Sequence, residues 1–346
     1  MKADFKKYSL HFINPAGTSR GTLYERDVWF LKVTDQKRMK TGIGEIAPLR
    51  GLSCDDNPGL ELKIKEVCGR IDDHKYWLAE GLLDFPSIRF GLETALLDLN
   101  AKAEKILYPS DFTDGKTGIP INGLIWMGDE TNMLHQIDEK LESGFRCLKM
   151  KIGSIDFEKE LMILRNIRQR FPASELELRL DANGAFSPAE ATEKLERLAK
   201  FQIHSIEQPI AAQQTDNTAL LCNQAIIPIA LDEELIGKNR RAQKVKLLIE
   251  TLPQFIILKP SLHGGIAGCS EWIEIARSLN IGWWITSALE SNIGLNAIAQ
   301  WAFTLNPEIP QGLGTGLLFS NNITSPLAVK NNSLYFEAEK EWGTIE

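Results

Sequence analysis

The sequence predicts an α/β protein in which a β/α barrel carries an active site and a smaller α+β domain precedes it. Three observations predict this. Five short apolar runs in the middle of the chain each end in a charge, at Lys151, Asp181, Glu207, Asp232 and Lys259. The steps between those charges are 30, 26, 25 and 27 residues, and one β/α unit takes about 30. Charges confined to the C-terminal ends of buried parallel strands mark the active-site face of such a barrel. Finally, the chain has 346 residues, whereas a barrel takes about 250, which leaves roughly 100 for a second domain.

The N-terminal 50 residues read as strands. Residues 8–13 alternate in polarity, residues 28–33 form an apolar run, and residues 41–47 form a third run broken by glycines. Between the first two, residues 14–21 are rich in turn formers and read as a mobile flap. A similar loop follows the third at 48–53. Residues 59–106 turn helical. The clearest segment starts at Pro86, with Ser87 as its cap and Ile88, Leu92, Ala95, Leu96 and Leu99 on one face. Strands followed by helices suggest an α+β unit distinct from the barrel.

From Gly118 onward strands and helices alternate. Residues 119–125 read as the first barrel strand. Ser187, Pro188 and Glu190 read as a capping box opening the helix after the third. Residues 283–287 and 311–315 supply the last strand ends, and the tail 327–336 reads as extended and returning to the first domain. The expected division is 1–112 for the α+β domain, joined by the tail 320–346, and 113–319 for the barrel.

Net charge is −7 and pI about 5.5, which argues against nucleic acid or an anionic membrane as partner and for a small-molecule substrate. The five cysteines are widely spaced with no C-x-x-C pair, as expected of reduced thiols in a cytoplasmic protein. No apolar signal core or membrane-length run is present.

Asp181, Glu207 and Asp232 end three successive strands about 4.8 Å apart, so their carboxylates can converge on one cation. All-oxygen ligation favours Mg²⁺, or Mn²⁺, over zinc. Lys149 and Lys151, two residues apart on one strand, share a face, with Lys149 one layer deeper where it can tune Lys151. Lys259 ends the sixth strand, across the barrel from the second. An amine beside a divalent cation and a second ammonium favours its neutral form, which suits a base. Asn183 reads equally as a group orienting a ligand and as a turn residue before Gly184. Thr286, Ser287, Glu290 and Asn292 follow the seventh strand. The glycines from Gly312 to Gly316 follow the eighth, where backbone N–H groups can approach an anion. His263 reads as loop geometry, and His11, His74, His135 and His204 lack ligand spacing.

These pieces resemble the enolase superfamily, in its muconate-lactonizing-enzyme-like subgroup. The matching segments are 149–151 (KMK), 181–183 (DAN), 207–209 (EQP), 232–234 (DEE) and 259–260 (KP), with 44–49 and 90–96 in the first domain. The resemblance implies a capping α+β domain over a (β/α)7β barrel. Lys151 would then remove the proton α to a carboxylate held at Mg²⁺ on Asp181, Glu207 and Asp232, with Lys259 as electrostatic partner. Residues 285–295 and 309–315 resemble the subgroup's members that carry out a syn dehydration of 2-succinyl-6-hydroxy-2,4-cyclohexadiene-1-carboxylate. In those members backbone near Thr286, Ser287 and Gly312 would hold the succinyl arm, with Arg26 as a further contact. An N-acylamino acid racemase or dipeptide epimerase of the same subgroup is the alternative. A Schiff-base aldolase using Lys259 would leave the carboxylates without a role, and a barrel that only binds would leave all six charges without one.

Overall fold

The computed structural model describes residues 1–18, 21–224 and 226–345. Strands β1 (Lys2–Thr18), β2 (Gly21–Asp35) and β3 (Lys40–Ile46) form an antiparallel sheet in that order. The expected flap at 14–21 is mostly strand. Pairing runs from Lys2 opposite Thr34 to His11 opposite Glu25, shifts register, and resumes with Ala16 opposite Leu23. Pro15 has no N–H to give the ladder and falls within the irregular stretch, so turn-forming residues here mark a bulge. Ser19 and Arg20, also assigned to the flap, lie outside the described residues.

Helices α1 (Leu60–Gly69) and α3 (Pro86–Asn100) cover this sheet, with the short α2 (His74–Tyr76) between them in sequence. Ile88, Leu92, Ala95 and Leu99 of α3 are buried with Leu31, Val33 and Ile46, as the helical spacing predicts. Ser87, the expected cap, is the second helical residue. Asp55 Oδ2 accepts from Ser87 N at 2.8 Å and Ser87 Oγ at 2.6 Å, so this helix start is capped from another segment. A Cβ on Gly44 would lie 1.9 Å from the Gly91 carbonyl oxygen. Gly44→Ala is therefore expected to lower stability by about 1–3 kcal/mol through overpacking, read from urea unfolding.

The barrel follows. The segment expected as its first strand divides into β4 (Ile119–Pro120) and β5 (Gly123–Ile125). The remaining units are α4 (Glu130–Glu142), β6 (Cys147–Lys151), α5 (Phe157–Arg170), β7 (Glu177–Asp181), α6 (Pro188–Ala199), β8 (Ser205–Glu207) and α7 (Thr215–Gln224). After them come β9 (Ile229–Leu231), α8 (Arg241–Thr251), β10 (Phe255–Leu258), α9 (Gly265–Ser278), β11 (Gly282–Ile285) and α10 (Asn292–Thr304). Strands β5 to β11 form one sheet in sequential order, with parallel pairing throughout. Residues 311–312 close it: Gln311 N donates to Pro120 O at 2.8 Å and Gly312 N to Ile285 O at 2.9 Å. The capping box on α6 is half formed. Glu190 reaches back to Ser187, but the Ser187 side chain makes no capping bond.

The tail does two things. Residues 318–323 lie on β1, where Ser320 N donates to His11 O at 2.9 Å. The hairpin of β12 (Leu327–Lys330) and β13 (Ser333–Phe336), expected to return to the first domain, instead pairs with β4. Pro120 has no N–H to give this ladder, and the pairing continues at Ile121, whose N–H donates to Asn332 O at 2.8 Å. Leu10, Val28, Phe30 and Ala47 of the N-terminal layer pack on Ile293, Phe319 and Ile323, which seats that layer over the barrel.

Candidate active site

Every strand that carries a predicted reactive residue brings it to the same end of the barrel. Lys151 pairs with Asp181 and Asp181 with Glu207, whereas Glu207 pairs with Ala230. Asp232 therefore lies two residues beyond exact register. The period-two alternation keeps it on the same face, and strand tilt in a barrel makes such an offset necessary for side chains to meet at one height.

The six charged groups form one buried cluster. Lys149 Nζ lies 2.9 Å from Asp181 Oδ2 and bonds Glu207 Oε2. Lys151 Nζ lies 2.9 Å from Asp181 Oδ2 and donates to Asn183 Oδ1 at 2.6 Å. Lys259 Nζ bonds Asp232 Oδ2 and lies 4.0 Å from Glu207 Oε1. Asn183 is the turn residue of the two readings, at φ 44°, and its amide also touches Lys151 and Glu233.

Burial and mutual charge set the ionisation of this cluster. Burial disfavours the Asp181 carboxylate, but Lys149 and Lys151 more than offset it, and its pKa falls below the usual range. Burial likewise opposes ionisation of Asp232, and Lys259 overcomes it. The Glu207 carboxyl rises well above its usual range, through burial first and then the neighbouring Asp181. Lys149 and Lys259 are both pushed up, because the carboxylates overcome the burial that would favour neutral amines. The expectation of a neutral amine assumed a divalent cation nearby, and carboxylates alone act in the opposite sense.

Among the described residues, no three acidic, histidine or cysteine side chains stand close enough to hold a metal as they are. The lysine ammoniums lie between the carboxylates. The donor set nevertheless fits a hard divalent ion. Three carboxylates face one nest, and among the described residues Glu207 Oε1 and Asp232 Oδ1 are buried there with no N–H donor.

The remaining predicted residues fall into a second group. Thr286 Oγ1 donates to Gly312 O at 3.0 Å, and Ser287 Oγ meets Thr315 Oγ1 at 2.5 Å. The Gly312 N–H was expected to be open to an anion. It is committed to Ile285 O, and glycine is needed because a Cβ would come within 2.4 Å of Thr286 Oγ1. Arg26 is buried away from the lysines: its guanidinium bonds Ala288 O and, at 2.5 Å, Ala47 O. It thus joins the N-terminal layer to the loop after β11.

Trp126 escaped the sequence reading, whereas His263, read as loop geometry, does bond within its loop. The Trp126 ring lies 5.9 Å from Lys151 Nζ; its place directly after the first barrel strand was the available signal. His263 accepts from Lys259 N at 3.0 Å through Nδ1, and burial lowers its pKa to about 3, so it stays neutral.

A sheet of this topology with charges at the strand mouths defines an enolase-type barrel, and residues 132–338 match the family model for enolase C-terminal domain-like proteins. The chain belongs to that family. It is 44% identical to o-succinylbenzoate synthase of Desulfotalea psychrophila, over 96% of this chain and 98% of that one. The crystal structure of MenC from that organism superposes with a TM-score of 0.86 over 97% of this chain and 99% of that one. A substrate-liganded L-Ala-D/L-Glu epimerase from Bacillus subtilis superposes at 0.82 with 19% identity, over 97% and 96% of the two chains, which shows the shared fold. The o-succinylbenzoate synthase of Thermosynechococcus elongatus, solved with Mg in its active site, reaches 0.74 at 25% identity over 90% and 92%.

Proposed function

We propose that this protein is an o-succinylbenzoate synthase, which dehydrates 2-succinyl-6-hydroxy-2,4-cyclohexadiene-1-carboxylate to 2-succinylbenzoate in menaquinone biosynthesis. One observation carries the chemistry: Lys151 and Lys259 reach into a single nest of three buried carboxylates from strands on opposite sides of the barrel. The 44% identity to the Desulfotalea psychrophila synthase supports the substrate. The residue roles that follow are part of the same proposal, as is the division into a capping domain (1–112) and a barrel (113–319).

Asp181, Glu207 and Asp232 would hold Mg²⁺, or Mn²⁺ in its place. When bound, the ion supplies positive charge that stabilises the substrate carboxylate while the adjacent carbon loses its proton. Lys151, held by Asn183 and Asp181, takes that proton in its neutral form. The same ammonium then returns a proton to the hydroxyl leaving from the same face. A C–H and a C–O bond break, a C=C bond completes the aromatic ring, and water departs. Lys259 stabilises the opposite face of the enediolate by its charge, and Lys149 tunes Lys151 through the shared Asp181. The loop of Thr286, Ser287 and Gly312, braced by Arg26, shapes the wall against the succinyl arm.

An N-acylamino acid racemase or dipeptide epimerase also needs an amine on each face of its substrate, and Lys151 with Lys259 would meet that need. A dipeptide's ammonium calls for a carboxylate in the wall, and residues 312–316 contain none. The test supplies the cyclohexadiene substrate with Mg²⁺ and follows product absorbance. Inactivity on that compound together with rapid epimerisation of an N-acyl amino acid would sink the assignment. Lys259→Ala is expected to lower kcat by about 10²–10³-fold, the usual effect of losing one preorganised electrostatic partner. The free thiols and the lack, among the described residues, of any helix long and apolar enough to cross a membrane support a cytoplasmic location.

A further inference from the structure

Two glutamates from the N-terminal layer cap the two barrel helices that follow the Lys259 and Thr286 loops. Helix α9 starts behind Gly264, which has no side chain to cap it. Its Ile266 and Ala267 N–H groups donate instead to Glu93 of α3, at 2.6 and 3.0 Å. Helix α10 has Ser291 as its own cap, yet Glu45 of β3 also accepts from Ser291 N and Gly294 N, each at 2.8 Å, and from Ser291 Oγ. Glycines make room for both carboxylates: a Cβ would come within 2.3 Å of Glu93 at Gly265 and within 2.9 Å of Glu45 at Gly294.

These caps differ from those of α4 and α5, which use the adjacent Asp129 and Asp156. A neighbouring side chain satisfies a helix start at little desolvation cost. Glu45 is fully buried, and burial raises its pKa to about 7 despite its three donors; burial also raises that of Glu93. Burying two carboxylates with helix N-termini as their partners is a demanding way to gain stability alone. What it adds is a tie between the seating of the N-terminal layer and the loops just upstream, 259–264 and 286–291. Those loops are themselves joined, since Ser261 Oγ donates to Glu290 Oε1 at 2.5 Å. The Glu290 side chain also accepts from Ala288 N at 2.7 Å.

We propose that Glu45 and Glu93 are positioning residues, each fixing a reactive loop of the barrel to the N-terminal layer through the start of the helix behind it. The proposal rests on the reading of Lys259 and of the Thr286–Ser287 wall as parts of the site. Glu93 holds the loop that aims Lys259, and Glu45 holds the wall against the substrate.

The test compares Glu45→Gln and Glu93→Gln with a control, Arg168→Leu. Arg168 bonds Phe201 O and Leu176 O at the opposite end of the barrel. Glutamine keeps the shape but turns one acceptor into a donor facing an N–H. Assayed well below the unfolding midpoint with the cyclohexadiene substrate and Mg²⁺, Glu93→Gln lowers kcat and Glu45→Gln raises KM, each by about 10-fold or more, as for misplacement of reacting groups. Arg168→Leu changes neither constant. Amide exchange supplies a readout independent of substrate: Leu262 and His263 exchange faster in Glu93→Gln, and Ser287 and Leu289 faster in Glu45→Gln. Should Glu45→Gln not fold, Ser291→Ala removes one of its bonds and is read the same way. Kinetic constants and loop exchange that follow the Arg168→Leu control overturn the proposal. Faster loop exchange in a protein whose wild type does not turn over the compound instead overturns the substrate assignment and leaves the positioning role standing.

Discussion

Lys151→Ala is expected to lower kcat by about 10⁴-fold, the upper range for loss of a positioned acid–base group, while the protein remains folded. The reason is that one amine serves twice. It takes the proton from the carbon next to the carboxylate and returns one to the leaving hydroxyl, so its loss impairs both steps. Its surroundings explain why the fold should survive. Asp181 keeps Lys149 at 2.9 Å after the substitution, so no buried carboxylate is left without a cation. Lys151→Arg is expected to be as inactive as Lys151→Ala, because a guanidinium does not give up its proton in the working range. Steady-state turnover and exchange of the substrate's α-hydrogen with D₂O check both variants. Retention of more than a tenth of wild-type turnover by Lys151→Ala would assign the proton transfer elsewhere, with Lys259 the first candidate. Lys149→Ala should be milder in kcat but harsher on stability, since Lys149 joins Asp181 to Glu207.

The charged cluster was legible in the sequence because a barrel imposes a rhythm on it. Apolar runs fix the strands, and a charge ending each run has only the barrel mouth to point into. The same logic located α3, whose apolar face repeats at helical spacing. Contacts made at long sequence separation were not legible. Glu45 caps a helix start 246 residues away, and Asp55 takes the capping role that Ser87 suggested. Local chemistry also misled where one residue type serves two ends. Residues 14–18 look like a turn and form a bulged strand. Gly312 looks like an anion-binding glycine, yet it is small because Thr286 crowds it. Charge state was the least accessible property. The lysines are placed where they were expected, but their ionisation depends on what lies among the carboxylates, and spacing carries no information about that.

Removing divalent metal with a chelator is expected to abolish turnover, with activity returning on addition of Mg²⁺ and the apparent affinity for Mg²⁺ rising with pH. The sign follows from Glu207. Its carboxyl holds a proton to higher pH than an ordinary glutamate, chiefly because it is buried and also because Asp181 is close. A cation must displace that proton, so binding strengthens as pH rises through the raised pKa and reaches its plateau above it. Lys149 and Lys259 respond in the same direction. Both are held as ammoniums by the carboxylates the ion would engage, so metal loading loosens those pairs and lowers both pKa values. A Mg²⁺ titration followed by calorimetry in buffers of different ionisation enthalpy would detect the released proton. The ion should also raise the unfolding midpoint, by an amount growing with the logarithm of its concentration above Kd. Glu207→Gln separates the contributions: it removes the carboxyl's proton competition, so any Mg²⁺ binding it retains should lose that part of its pH dependence and keep only the part carried by the lysines. Asp232→Asn keeps the raised Glu207 carboxyl and should therefore keep the pH dependence while weakening affinity. Identical pH profiles for these two variants would show that the competing proton resides on another group of the cluster.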